Sequence, residues 1–470
     1  MTAEKEGSDA GHSFITRRRF LRTTAGVTTA SSATATLSTA RAAEGDELWA
    51  FEAGDVVESS PTVVDGTVYV GSNDGNVYAL SAADGTEQWR YETGQWVFPS
   101  PTVVDGTVYV GSRDGNVYGL SAADGTEQWR YETGGGVYAS PTVVDGTVYV
   151  GSGDHNVYAL SAADGTEQWH YETGNWMRPS PTVVDGSVYV GSYDNNVYAL
   201  SAADGTEQWH YETGDGVVSS PTVADGTVYV GSRDGNVYGL SAADGTEQWH
   251  YETGGGVGSS PTVVDGTVYV GSGDNNVYAL SVADGTEQWH YETGASVNSS
   301  PTVADGTVYV GSNDDNVYAL SAADGTEQWH YETIHWVRSS PTVVDGIVYV
   351  GSNDDNVYAL DAGVEGSSEG SRVMHGTLGH HGQSHPGEPY GGKGGDSASD
   401  PTETETETPT ETPTEAATET ATQTQAQSPT EPATETTSTG GPGFGLISAL
   451  TGLGGAGYLL SSRGSEVDDD

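Results

Sequence analysis

The sequence predicts an all-β fold, an eight-bladed β-propeller of four-stranded antiparallel blades whose ring is closed by the N-terminal strand. Three observations predict it. A unit of 40 residues recurs almost letter for letter, and the Pro of its Pro-Thr-Val triplet falls at Pro61, Pro101, Pro141, Pro181, Pro221, Pro261, Pro301 and Pro341. A Trp keeps the same spacing at Trp49, Trp89, Trp129, Trp169, Trp209, Trp249, Trp289 and Trp329, and a fixed period of this length marks a repeat architecture. Each unit is apolar on both faces, so a sheet built from it has to be covered on both sides. Radial packing of eight sheets does this.

Within the first unit four short runs are rich in β-branched and aromatic residues: Ser60 to Val64, Thr67 to Gly71, Asn76 to Leu80 and Glu87 to Thr93, called A, B, C and D. Asp65-Gly66 joins A to B and Asp84-Gly85 joins C to D. Asp-Gly favours a two-residue hairpin turn because both central residues take positive φ. Ser72-Asn73-Asp74-Gly75 joins B to C. In run B, Val68 and Val70 oppose Tyr69; in run C, Val77 and Ala79 oppose Tyr78 and Leu80. The last unit stops after run C at Leu360, and no Trp follows Trp329 at the repeat spacing. The missing D run stands at the other end, as Glu47 to Phe51, and is expected to latch the ring.

The stretch Ala82-Ala83-Asp84-Gly85-Thr86-Glu87-Gln88-Trp89, following Val77-Tyr78-Ala79-Leu80, resembles the repeat of pyrroloquinoline-quinone (PQQ) propellers. The resemblance covers roughly residues 46–361. It implies that the Trp series docks between neighbouring blades. The family holds eight-bladed quinoprotein dehydrogenases and also non-enzymatic relatives, among them a bacterial lipoprotein that helps assemble outer-membrane barrels.

The segments outside the repeats divide the chain further. Residues 1–42 read as an export signal: Thr16-Arg17-Arg18-Arg19-Phe20 resembles the twin-arginine pattern, with Arg17 and Arg18 as its core, and Ala40-Arg41-Ala42 resembles a cleavage site. The propeller is assigned to 43–361. Residues 362–400 form a Gly/Ser/His-rich linker in which His375, His380, His381 and His385 lie close together; a flexible polar linker and a metal-binding tract are both open readings. Residues 401–440, almost wholly Thr, Glu, Pro, Ala, Gln and Ser, cannot bury a core and are expected to form a disordered, extended stalk. Residues 441–470 open with Pro442-Gly443-Phe444 and continue as an apolar run to Leu460. This order resembles the sorting signal of haloarchaeal surface proteins, which implies processing by an archaeosortase and a lipid anchor. A run of about 17 residues is also at the short limit of a transmembrane helix.

The chain has no Cys, which excludes disulfides, thiolate metal sites and c-type haem attachment. Its formal net charge is −52, from 67 acidic and 15 basic residues. That charge argues against nucleic-acid binding. An acidic surface of this kind resembles that of salt-loving archaeal proteins. At about 1 M salt the Debye length is only about 3 Å, so self-repulsion is suppressed. The propeller is therefore expected to melt at lower temperature on dialysis from molar to millimolar salt, and an unchanged melting temperature overturns the reading.

Variation among the eight copies concentrates in the D-to-A connections and the B-to-C loops, which share one rim in a meander. Loops at one end of a rigid scaffold are where binding usually sits. Blade 8 offers His335, Trp336 and Arg338, blade 1 Asp55 and Glu58, blade 2 Trp96 and Phe98, blade 3 Tyr138 and His155, and blade 4 Trp176, Arg178 and Tyr193. Ring closure makes these blades contiguous, an aromatic crescent with Arg anchors suited to recognition. Neutral drift, or packing of aromatics across the channel, is the plain alternative. The Asp74–Asn76 series could hold Ca²⁺ through oxygen ligands, or cap turns without metal. The His170 series lies where Arg90 and Arg130 lie, an outer polar position.

These residues lead to two readings. The first is an exported, membrane-anchored, non-catalytic binding or scaffold module on the outer face of the cell membrane, with envelope proteins or glycans as partners, no cofactor, and the twin-arginine translocase and archaeosortase as processing machinery. The second, implied by the family resemblance, is a PQQ-dependent dehydrogenase with its quinone held in the channel by Arg178 and Arg338, and with Asp55 or Glu58 helping to bind Ca²⁺. The absence of Cys and of long inserted loops speaks against the second.

Overall fold

The computed structural model describes residues 42–368. The export motif, the His tract, the Thr-rich stalk and Pro442-Gly443-Phe444 lie outside the described residues. All regular structure among the described residues is β. The first blade is β2 (Thr62–Val64), β3 (Thr67–Gly71), β4 (Asn76–Ser81) and β5 (Glu87–Glu92). The pattern recurs six times, from β6 (Thr102–Val104) to β29 (Glu327–Glu332). The eighth blade combines β30 (Thr342–Val344), β31 (Ile347–Gly351) and β32 (Asn356–Asp361) with β1 (Glu47–Glu52). Its strand order is β1-β32-β31-β30, so the N-terminal strand closes the ring.

The alternation of apolar residues decides how blades stack. Tyr69, Val77 and Ala79 of one blade pack with Trp89 against Val108, Val110, Tyr118 and Leu120 of the next. The first strands of neighbouring blades meet at the centre. There two closed rings of hydrogen bonds tie them. The backbone N–H of Ser60 donates to the Ser100 hydroxyl at 2.7 Å, and the step repeats around to Ser340, whose N–H donates to Ser60 at 2.9 Å. The Thr62 hydroxyl donates to the Pro101 carbonyl at 2.6 Å, a step repeated up to Thr342, which reaches Pro61. Serine and threonine hydroxyls thus satisfy backbone groups that these short inner strands leave over. Further out, each Trp indole N–H reaches a carbonyl of the next blade, as Trp89 does to Ala122 at 3.0 Å. On the outer strands the Tyr91 hydroxyl donates to Glu127. The exposed His170 leans on Glu167 at 2.8 Å.

The A–B turns are two-residue turns with both central residues at positive φ, 49° at Asp65 and 74° at Gly66. The C–D connection corrects the sequence expectation. Only Gly85 takes positive φ there, and the loop spans Ala82 to Gly85, closed by Gly85 N–H to Ser81 O and Ser81 N–H to Thr86 O, both 2.8 Å. Asp84 caps with its side chain instead of bending its backbone: its Oδ1 accepts from the Thr86 hydroxyl at 2.8 Å and the Thr86 N–H at 3.2 Å. Those bonds, with one from Ser81, hold the carboxyl below its ordinary value. A bulge at Ala79/Leu80 takes up the remaining length.

Gly85 also meets the closing strand. A Cβ there would lie 2.6 Å from the Trp49 ring, whereas one at Gly66 would meet nothing within 4 Å. Gly66→Ala is therefore expected to cost about 1–2 kcal/mol from φ alone. Gly85→Ala is expected to cost about 1–3 kcal/mol more by overpacking. Denaturant melts of the two variants check this, and equal losses would show that Trp49 yields freely.

Candidate functional site

The two kinds of turn separate to opposite rims. Ala82 N–H donates to Gly66 O at 2.9 Å, which joins the C–D connection to the A–B turn. At the other rim, Arg113 N–H donates to Trp96 O at 2.9 Å and Val97 N–H to Ser72 O at 3.1 Å. The D-to-A connections and B-to-C loops therefore form one surface. Asp74 pins it between blades: its Oδ1 accepts from Asn76 N–H, and its Oδ2 accepts from Gly54 N–H at 2.9 Å and from the Tyr78 hydroxyl. That carboxylate is spent on turn and strut contacts. Five copies of the loop carry a non-glycine residue at positive φ, such as His155 at 75°.

Three consecutive positions of each D-to-A connection go to three places. Trp96, Trp176 and Trp336 stand on the rim and are exposed by 36%, 38% and 37%. The next position, Val97 or Met177, is fully buried between blades. The third lies two residues before the inner ring of serines: Glu58, Phe98, Arg178 and Arg338 are buried there, and Tyr138 is half-buried. Phe98 thus supports Trp96 from beneath, with ring centroids 5.5 Å apart, and stacks on Tyr138 at 6.0 Å.

The structure gathers the predicted residues into two groups. In blades 2 to 4, Phe98 and Tyr138 lead to Arg178, whose guanidinium lies 5.1 Å from the ring centres of Tyr138, Trp176 and Tyr193. Arg178 Nη1 also donates to the Tyr193 hydroxyl at 3.2 Å. In blades 8 and 1, Arg338 lies 4.5 Å over Trp336 and pairs through Nη1 with Glu58 Oε1 at 3.1 Å. His335 packs edge-on against Trp336 at 5.2 Å. Burial pushes the Glu58 carboxyl above its ordinary value, and Arg338 pulls it only partly back. Asp55 is exposed nearby. With Asp354 and Glu52 it adds to the burial that raises Asp355.

Three residues of this surface escaped the sequence reading. Arg113 lies 4.7 Å over Trp96 and Arg233 lies 5.6 Å over Tyr193. Both occupy the repeat position of Tyr193, so the same comparison of copies could have found them. Ile334, 81% exposed, replaces the Gly of the seven other copies.

Fold and rim together define a repeat propeller with one uniform face and one individual face. The family model described as outer membrane protein assembly factor BamB, of the PQQ_2 type, matches residues 33–139, 95–179, 133–220, 212–302 and 292–369. The chain belongs to this family. No curated protein sequence matches it. Among solved structures, BamB from Moraxella catarrhalis is 19% identical with a TM-score of 0.60, over 67% of this chain and 99% of its own. The computationally designed Ika8 protein is 17% identical at a TM-score of 0.62, over 67% of this chain and all of its own. Quinohemoprotein alcohol dehydrogenase from Comamonas testosteroni is 18% identical at 0.56, over 68% and 76%. At these identities the likeness is one of fold alone.

Proposed function

We propose that this propeller is an exported, membrane-anchored module of the cell surface that binds envelope proteins or glycans and performs no chemistry of its own. One observation carries the reading. Five large apolar side chains are exposed among the described residues, and four of them, Trp96, Trp176, Ile334 and Trp336, stand on the individual rim. Exposed aromatics clustered on a rigid frame mark interaction sites. The rim also faces away from both ends of the described chain. Gly45 N–H bonds Asp361 O, Gly346 N–H bonds Gly366 O, and Ser368 N–H bonds Val343 O, all beside the hairpin turns.

The dehydrogenase reading has a specific point in its favour: Arg178 and the rings around it suit an acidic planar quinone. Its calcium fits less well. Glu58, one of the two carboxylates offered to the metal beside Asp55, is held by the Arg338 guanidinium, whose charge opposes a dication. Among the described residues no three His, Asp or Glu side chains converge as a metal site.

Binding to isolated cell envelopes from the native host, measured by co-sedimentation in molar salt, tests the proposal. Trp176→Ala/Trp336→Ala is expected to lower the affinity by about 30-fold for each anchor removed, at about 2 kcal/mol per anchor, and to leave the melting temperature near that of the native protein. Undiminished binding overturns it. Stoichiometric quinone with calcium, released on denaturing protein from its own host, would establish the dehydrogenase instead.

A further inference from the structure

Beneath the individual rim lies a buried cation with an unpaired edge, and we propose that Arg178 binds the carboxylate group of the ligand. This deepens the binding-module reading and rests on it. Arg178 is 8% exposed, and its Nε and Nη2 are buried and meet no protein acceptor. Nη1 is the one guanidinium nitrogen with a protein partner, the Tyr193 hydroxyl. The free pair is the side edge of the guanidinium, where two parallel N–H groups match the two oxygens of a carboxylate. The rings of Tyr138, Trp176 and Tyr193 around the guanidinium fix where that edge points.

A guanidinium cannot shed its proton, so a buried one calls for a counter-charge. Arg338 has such a charge in Glu58, whereas among the described residues Arg178 has no carboxylate within ion-pair distance. The described residues include six arginines and no lysine, and four of the six, Arg113, Arg178, Arg233 and Arg338, gather at the individual rim, among the carboxylates of the B-to-C loops. Trp176, exposed beside the buried fork, offers a ring face for the body of the molecule that carries the carboxylate. That body is a sugar acid or an acidic peptide, and both present the same group.

The test is calorimetric titration of the full-length exported protein in molar salt with trigalacturonate, triglutamate and neutral trigalactose. One or both acidic probes are expected to bind and trigalactose is not; which acidic probe binds names the source. Arg178→Gln is expected to weaken binding by roughly 100-fold. Arg178→Lys keeps the charge without the fork and is expected to weaken it by roughly tenfold. Melting temperatures identify a variant that fails to fold, in which case the other is read. Affinity unchanged in the folded variants overturns the proposal, as does equal binding of trigalactose or failure of both acidic probes at millimolar concentration. Binding of trigalactose that is lost in Trp176→Ala but untouched by Arg178→Gln overturns the carboxylate fork and leaves the binding module standing.

Discussion

Deleting Glu47–Glu52 is expected to abolish cooperative melting of the disc and to leave a chain that self-associates. The strand is bound into the eighth blade at every level. Its backbone pairs with β32, its Trp49 indole donates to Ala82 O at 3.0 Å, and its Glu47 accepts from the Tyr331 hydroxyl at 2.6 Å. The Phe51 ring meets Tyr78 edge-on at 5.2 Å. Removing it bares the whole edge of β32 and uncovers a cluster that includes Val357, Ala359, Tyr349 and Leu80. An unpaired edge beside an apolar face is a template for pairing with another chain. Trp49→Ala alone should cost about 3–5 kcal/mol, against a total stability of about 5–15 kcal/mol for a typical protein. The strand also joins units that are otherwise the two ends of a linear array, in which each unit touches only its neighbours.

Circular dichroism melts and light scattering at high salt check this result. A rescue variant separates the strand from its place in the chain. Residues 47–52 re-inserted after Asp361, through an Ala-Ala-Asp-Gly-Thr connection like those of the other blades, should restore the native melt. A deleted chain that melts as a monomer at the native temperature would show that the ring does not depend on this closure.

The fold was legible because it is written eight times. Period, apolar alternation and the displaced D run give the blades, their number and the closing strand, and Asp65-Gly66 gives its turn. The C–D connection was misread because Asp can satisfy a turn through its carboxylate as well as through a left-handed backbone, and Asp84 does the former. The site was legible in outline only. Copy-to-copy variation points to the correct rim, but it does not reveal depth. Trp96 and Phe98, two residues apart, end at 36% and 2% exposure because one stands on the rim and the other is buried against Trp96 and Tyr138. The Glu58–Arg338 pair joins residues 280 apart. Only closure of the ring brings them together, so nothing local in either segment announces the contact.

That pair is expected to behave as a coupled unit. Arg338 and Glu58 are 5% and 1% exposed at the side chain, and Glu58 Oε1 also accepts from Asn353 at 3.3 Å. Arg338→Met leaves a buried carboxylate without counter-charge, and Glu58→Leu leaves a buried guanidinium. Each is expected to destabilise by about 3–5 kcal/mol, whereas the double variant should come within about 1 kcal/mol of the native protein or exceed it. The dependence on pH has a definite sign. Burial raises the Glu58 carboxyl above its ordinary value of 4.5 despite Arg338. The folded state therefore holds this proton over a range where the unfolded state has lost it, so stability from this group falls as pH rises from 4.5 through the folded value. Without Arg338 the fall should be steeper and reach higher pH, since the partner that lowers the carboxyl is gone; Glu58→Gln should remove it. Denaturant titrations of the four variants across pH 4 to 8 measure both effects. If the two single losses simply add in the double variant, the residues are not coupled, and the blade 8 to blade 1 junction is held by its strand, its Trp49 and its ring of serines alone.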